Sequence, residues 1–314
     1  MQFDVDKHTI FLSRSGSLAY GTNIKGSDED FKGVCVPPKD FVVGPFFSFE
    51  QKEELVSKGH PADRVIFSLS KFMKLASECN PNIIELLFTE TEDWVVCTDI
   101  GLELVENRNL FLSKKAKWRF MGYAHAQLKR IKGHRSWLLN PPKGKPSRAD
   151  YGLPEVGNKV ISGSTMGAVD ELKSQGYEFG GEVMTAIASE KRYATALQHW
   201  KQYENWKKTR NESRAALEAK FGYDTKHGMH LIRLMRMCEE ILSGKGVITR
   251  RPDAEELVAI RLGSKSYDEL IEEAEQLQAR CEKLFETTTL PNAPDPKKLN
   301  DLCIELHEDF WKQN

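Results

Sequence analysis

Two short stretches of this chain carry residue types that handle phosphates. The first is Gly16-Ser17-Leu18-Ala19-Tyr20-Gly21, a glycine–hydroxyl turn after the strand-like run Thr9–Ser13. The second is Ser27-Asp28-Glu29-Asp30, with carboxylates at i and i+2. In a β-strand such a pair points to one face. Glycine lets the backbone approach a phosphate, and Ser17 can donate a hydroxyl hydrogen bond to it. Two carboxylates on a strand supply the hard oxygen ligands that Mg²⁺ (or Mn²⁺) prefers. Asp63 opens a later strand-like run, Asp63–Leu69, and is a candidate third carboxylate. A same-face acidic pair beside a phosphate-cradling turn is what metal-assisted nucleotidyl transfer requires. Lys32 shares the strand face of Asp30 and would balance the carboxylates or touch a phosphate.

The elements that must position these residues alternate over the first 110 residues. Thr9–Ser13, Asp30–Val36 and Asp63–Leu69 read as strands, and Pro37-Pro38 stops the second. Residues 69–79 read as a helix with Phe72, Leu75 and Ala76 on one side. Asn80-Pro81-Asn82 breaks it and opens the next helix, with Pro81 in its first turn. From Ser113 the pattern is helical: Lys114–Lys132, Glu182–Lys220, Lys226–Ser243 ending at Gly244, then 265–286 and 296–313. Residues 140–182 are rich in glycine and proline and read as a long loop or insert. Tyr193, Leu197, Trp200, Tyr203 and Trp206 recur at helical spacing, as a core stripe does. The expected domains are 1–112, an α/β catalytic domain, and 113–314, a helical domain with the insert at about 140–182.

Lys226, His230 and Arg233 fall at i, i+4 and i+7, on one helix face. Three basic groups there would clamp the β- and γ-phosphates, arginine being suited to bidentate contact. Net charge is −1, but residues 107–149 hold no Asp or Glu and twelve Lys or Arg. A basic block inside a neutral protein implies a polyanion-facing surface. Lys129, Arg130, Lys132, Arg135, Lys143, Lys145 and Arg148, interleaved with Trp137 and Tyr151, suit a single-stranded RNA end. The six cysteines form no C-x-x-C, which argues against a cysteine-pair zinc site and a disulfide framework. No signal-peptide core and no membrane-spanning apolar run is present, so a soluble cytoplasmic protein is expected, with no membrane partner.

The pattern G-S, a short gap, then D-x-D resembles the DNA-polymerase-β-like nucleotidyltransferase superfamily. The finer detail resembles the branch that includes the RNA-repair-pathway polymerase-β-like proteins. It is carried by Gly16–Thr22, Ser27–Val34, Asn80–Phe88, Tyr223–Leu234 and Leu290-Pro291. The resemblance implies an α/β (α+β) catalytic domain followed by a mostly helical C-terminal domain. It implies Asp28 and Asp30 as metal ligands, with Asp63 as third carboxylate and Glu85 as its competitor. It implies Gly16 and Ser17 as triphosphate-holding residues. The expected reaction moves an NMP from an NTP to a hydroxyl, with an RNA 3′ end such as tRNA as acceptor. The alternatives are a protein (AMPylation) or small-molecule acceptor, and an inactive nucleotide- or RNA-binding module on the same fold.

Overall fold

The chain assembles a five-stranded mixed sheet in the order β3-β4-β2-β1-β5, and all but β3 carry the β-branched and aromatic side chains that favour strands. The structure, a computed structural model, describes residues 3–55, 59, 62–155, 167, 171, 174, 180–210 and 212–313, the side chains of 183 and 212–214 excepted. In chain order the elements are β1 (Thr9–Ser15), α1 (Gly16–Tyr20), β2 (Asp30–Cys35), α2 (Lys39–Val42), β3 (Gln51–Glu54), β4 (Asp63–Ser68), α3 (Leu69–Ser77) and α4 (Pro81–Ile84). A 3₁₀ turn over Glu85–Phe88 leads to β5 (Trp94–Cys97) and α5 (Asp99–Glu106). The helices α6 (Lys115–Leu139), α7 (Gly181–Thr209), α8 (Glu212–Phe221), α9 (Thr225–Leu242), α10 (Ala254–Arg261), α11 (Tyr267–Thr287) and α12 (Pro296–Gln313) follow.

Strand direction decides where the acidic residues go. β2 and β4 are parallel, whereas β1 pairs antiparallel with both β2 and β5, and β3 antiparallel with β4. The C-terminal end of β1 therefore meets the N-terminal ends of β2 and β4 at one edge of the sheet. Both parallel strands are half-exposed over their first three residues and buried over their last three. Their acidic ends lie towards solvent, and their apolar ends, Val34, Cys35, Ile66 and Phe67, enter the core.

The chain divides into two compact units, Met1–Lys132 with Tyr223–Asn314, and Gly133–Gly222. The helices α9–α12 thus share a core with the sheet. α9 is buried on nearly all sides, Met229, Leu231, Ile232, Leu234 and Met235 among them, as befits a central helix. Arg236 ties it to its neighbours through Asp253 at 2.5 Å, Glu256 at 2.8 Å and Glu273 at 2.6 Å. α11 opens on a capping box of Ser266 and Glu269.

The second unit has its own small core. Leu153, Tyr193 and Leu197 are buried together, with Tyr151 and Trp200 packed against them. Trp137 lies against His199, Tyr203 and Trp206, and its Nε1 donates to His199 Nε2 at 2.7 Å. The second half of the insert expected over 140–182 lies outside the described residues, which after 155 resume at 180 apart from 167, 171 and 174.

α5 packs against β1 at backbone distance. Thr98 caps it, accepting from Gly101 N–H at 3.2 Å and donating to the Ile10 carbonyl at 3.2 Å. A methyl group on Gly101 would overlap that same carbonyl oxygen, so the contact requires glycine. Gly101→Ala is expected to lower stability by about 1–3 kcal/mol, read as a drop in Tm. An unchanged Tm would show that α5 is free to shift.

Candidate active site at the carboxylate end of the sheet

The β-ladder brings the predicted carboxylates together. Asp30 is the register partner of Asp63 across the parallel pair and of Ser15 across the antiparallel one. Asp28 precedes β2 rather than lying in it, and is exposed. The i, i+2 strand geometry expected for Asp28 and Asp30 therefore applies to Asp30 and Lys32 instead. Burial first, then the charges of Asp63 and Asp28, push the Asp30 carboxyl above the usual carboxylate range. Lys32 and Lys226 pull it back in part. Three hard-oxygen donors that repel one another form a set that a divalent cation fits.

Gly16 sits against this cluster. Its φ is +65°, in the left-handed region, and a Cβ there would collide with the Asp30 carboxylate. The left-handed turn favours glycine, and any side chain there would have to displace the Asp30 carboxylate. Ser17 is half-buried one residue on, and its carbonyl accepts from Thr22 N–H at 2.9 Å. Gly21 closes α1 in the left-handed conformation, returning the chain towards β2.

Lys32 is drawn inward. Burial lowers its pKa, Glu85 and Asp30 act in the opposite sense, and Arg233 adds to the lowering. Its ammonium donates to the Asn82 carbonyl at 2.8 Å. Asn80 caps α4, accepting from Asn82 N–H at 3.1 Å. The residue before it, Cys79, takes a positive φ of 52°, a strained conformation outside glycine.

The basic face of α9 differs from expectation. Lys226 is half-buried, and its charge acts on Asp30. His230 is held well below its usual pKa by burial and then by Arg233, Lys226, His227 and Arg261, so its imidazole is neutral at pH 7. Arg233 is 4% exposed and donates to Glu85 Oε1 at 2.8 Å. Its guanidinium stacks 3.8 Å from the centroid of the Tyr20 ring, and Tyr20 donates to the other Glu85 oxygen. Burial opposes the Arg233 charge, but Glu85 and Tyr20 outweigh it and hold its pKa above the ordinary value. Burial, reinforced by Glu85, keeps the Tyr20 hydroxyl protonated. Arg233 is therefore enclosed in an internal ion pair, because α9 is buried at that turn. Glu85, the competitor for third carboxylate, is the partner in that pair.

Residues that the spacing of motifs did not single out hold α1 from the other side. Arg250 donates to the Leu18 carbonyl at 2.9 Å and to Asp93 at 2.8 Å. Arg251 N–H bonds the Tyr20 carbonyl at 3.1 Å, and Arg261 bonds the Thr22 carbonyl at 3.3 Å. Thr249 donates to the Glu85 carbonyl at 3.2 Å. The local signal for these is slight: a pair of arginines before Pro252, with no periodicity.

The basic segment separates into two kinds of residue. Lys129, Arg130, Lys132, Lys143 and Lys145 are exposed. Arg135 donates to the Gly222 carbonyl at 2.9 Å, and Arg148 forms a bidentate pair with buried Glu190. Those two cations are engaged within the second unit, by a buried carboxylate and by a carbonyl at the end of α8 that need donors.

Two predictions follow from the charges. Removing Glu85 strands Arg233, so Glu85→Ala is expected to cost about 3–5 kcal/mol in chemical denaturation. A double Glu85→Leu, Arg233→Leu variant should recover much of that; a single-variant cost below ~1 kcal/mol would refute a stabilising pair. For Asp30 the folded-state pKa exceeds the unfolded one. As pH rises through the carboxylate range the unfolded chain ionises first, so folding loses stability. Asp30→Asn is therefore expected to melt higher than its parent at neutral pH and to converge with it near about pH 3. A lower Tm for Asp30→Asn at neutral pH would contradict the repulsive cluster.

Comparison with known proteins bears on the N-terminal part of the chain. Residues 2–137 match the family described as "RNA repair pathway DNA polymerase beta family". The chain is also similar, at 31% identity over 136 residues, to an uncharacterized 38.9 kDa protein from the nrdC–mobD intergenic region of Enterobacteria phage T4. That match spans 40% of this chain and 40% of the phage protein. No solved structure matches. The segment that builds the carboxylate end of the sheet lies within residues 2–137, the part of the chain that matches this polymerase-β-like family.

Proposed function

We propose that this protein transfers a nucleoside monophosphate from an NTP to a hydroxyl of RNA, at a 3′ end, with pyrophosphate leaving. The observation that carries the reading is the register of Asp30 against Asp63, with the Gly16 turn pressed onto the Asp30 carboxylate. Asp28, Asp30 and Asp63 are the residues that would hold a divalent cation, Mg²⁺ or Mn²⁺. When bound, the cation supplies the positive charge that gathers the triphosphate and acceptor oxygens. Gly16 leaves room for the triphosphate, and the Ser17 hydroxyl donates to one of its oxygens. Lys226 offsets its charge, and neutral His230 offers a hydrogen bond rather than a second cation. The acceptor oxygen bonds to the α-phosphorus, the α–β bridging bond breaks, and Asp63 takes the hydroxyl proton.

Arg233 acts at one remove. Through Tyr20 it fixes α1, and hence the Gly16–Ser17 turn, against the helix that carries Lys226 and His230. The family match over residues 2–137 and the exposed cations Lys129, Arg130, Lys132, Lys143 and Lys145 support RNA as the acceptor.

The test incubates the protein with Mg²⁺, each α-³²P-labelled NTP and a mixed tRNA pool. Label is expected on RNA, with turnover falling by on the order of 10²–10³-fold or more in Asp30→Asn and Asp63→Asn. Label on the protein itself would replace RNA by a protein hydroxyl. Failure of every NTP to label any acceptor would sink the reaction.

A further inference from the structure

We propose that one face of α6 is a docking surface for single-stranded RNA, with Trp118 as its stacking platform. This rests on the reading of RNA as the acceptor and assigns a surface that the carboxylate site does not contain. At 100° per residue, positions 118, 122, 125, 129 and 132 lie within about 40° of one line along the helix. Trp118, Gly122, His125, Lys129 and Lys132 are all exposed. The opposite side buries Ala116, Phe120, Ala124 and Ile131. The exposed line is about 21 Å long and contains no acid.

Trp118 is 64% exposed, unusual for the largest apolar side chain. It packs edge-on against Phe285 of α11, with ring centroids 5.7 Å apart. Lys117 Nζ lies 4.6 Å from the Trp118 ring and 4.4 Å from the Phe285 ring, and Lys114 Nζ lies 5.4 Å from Phe285. Among the described residues neither lysine pairs with a carboxylate, whereas Lys115 and Arg119 on the adjoining side are both taken by Glu78. An exposed ring bracketed by uncommitted cations matches a base with its flanking phosphates. Glu282 and Glu286 flank Phe285 in sequence on α11. The positive charge therefore lies on the α6 side, and the strand is placed along α6 from Trp118 towards Lys129 and Lys132.

Fluorescence anisotropy of a dye-labelled single-stranded RNA of about twelve nucleotides tests this across a salt series. Trp118→Ala is expected to weaken binding roughly tenfold without changing the salt slope, since stacking releases no counterions. Trp118→Phe should restore much of the affinity. Lys129→Ala and Lys132→Ala should each lower the slope by about 0.7. Parental affinity in Trp118→Ala, with weakened lysine variants, would overturn the Trp118 surface and leave the RNA reading standing. Unchanged RNA affinity with lost self-association would make the ring a protein contact, again overturning it. Absence of RNA binding by the parent protein would remove the RNA reading and this surface together.

Discussion

Placing Asp30 opposite Asp63 across a parallel strand pair is the constraint around which the site is arranged. Like charges at that spacing oppose folding, and half-burial makes the repulsion stronger than it would be in water. The ladder holds the pair because the other ends of both strands, Val34–Cys35 and Ile66–Phe67, are locked into the apolar core. A parallel pair is needed for this: an antiparallel partner would place the start of β4 at the buried end of β2. The antiparallel β1 then ends where both parallel strands begin, and so delivers Ser15 and Gly16 to the same spot. Topology, more than any single contact, concentrates the acids and the glycine turn.

The buried Arg233–Glu85 pair settles how that edge is oriented towards the helices. Enclosing two charges costs desolvation, and an apolar pair of the same volume would often be as stable. What the ion pair adds is geometry. Glu85 has two oxygens and uses one for Arg233 and the other for Tyr20. Tyr20 closes α1, so the turn that begins at Gly16 is tied to a helix more than two hundred residues later. Arg250 and Arg251 hold the same short helix from its carbonyl end. A five-residue helix has little stability of its own. Here each side of it is held by a residue from outside the N-terminal segment.

Features that depend on local pattern were legible in the sequence. β1, β2, β4, α3, α9, α11 and α12 follow from apolar periodicity and from breakers such as Asn80-Pro81. The meeting of Asp30 with Asp63 was legible because both residues open strands. β3 and β5 were not: both are four-residue edge strands, Gln-Lys-Glu-Glu having no strand composition and Trp-Val-Val-Cys, though β-prone, being too short to stand out. The helix angle correctly placed Arg233 in line with Lys226. It gave no depth, and depth decides between a phosphate clamp and an internal ion pair. Arg148 shows the same limit: its partner Glu190 lies 42 residues away, and only tertiary packing brings them together.

A net charge of −1 describes this molecule poorly, because folding consumes the two signs unequally. Many acids of the C-terminal helices are spent internally. Asp253, Glu256 and Glu273 meet Arg236, Glu240 meets Arg251, and Glu239 meets Arg280. The arginines answering them come from the same helices and the loop between them, so these networks cancel locally. α6 has no acid of its own to cancel its lysines, and takes Glu78 for Lys115 and Arg119. Lys129, Arg130 and Lys132 are left in solvent as a cluster of one sign. The potential near a surface depends on charges left after pairing, within about a Debye length, and not on the sum over the chain. A nearly neutral protein therefore presents a cationic helix face and, at one sheet edge, an anionic cluster, each suited to a ligand of the opposite charge.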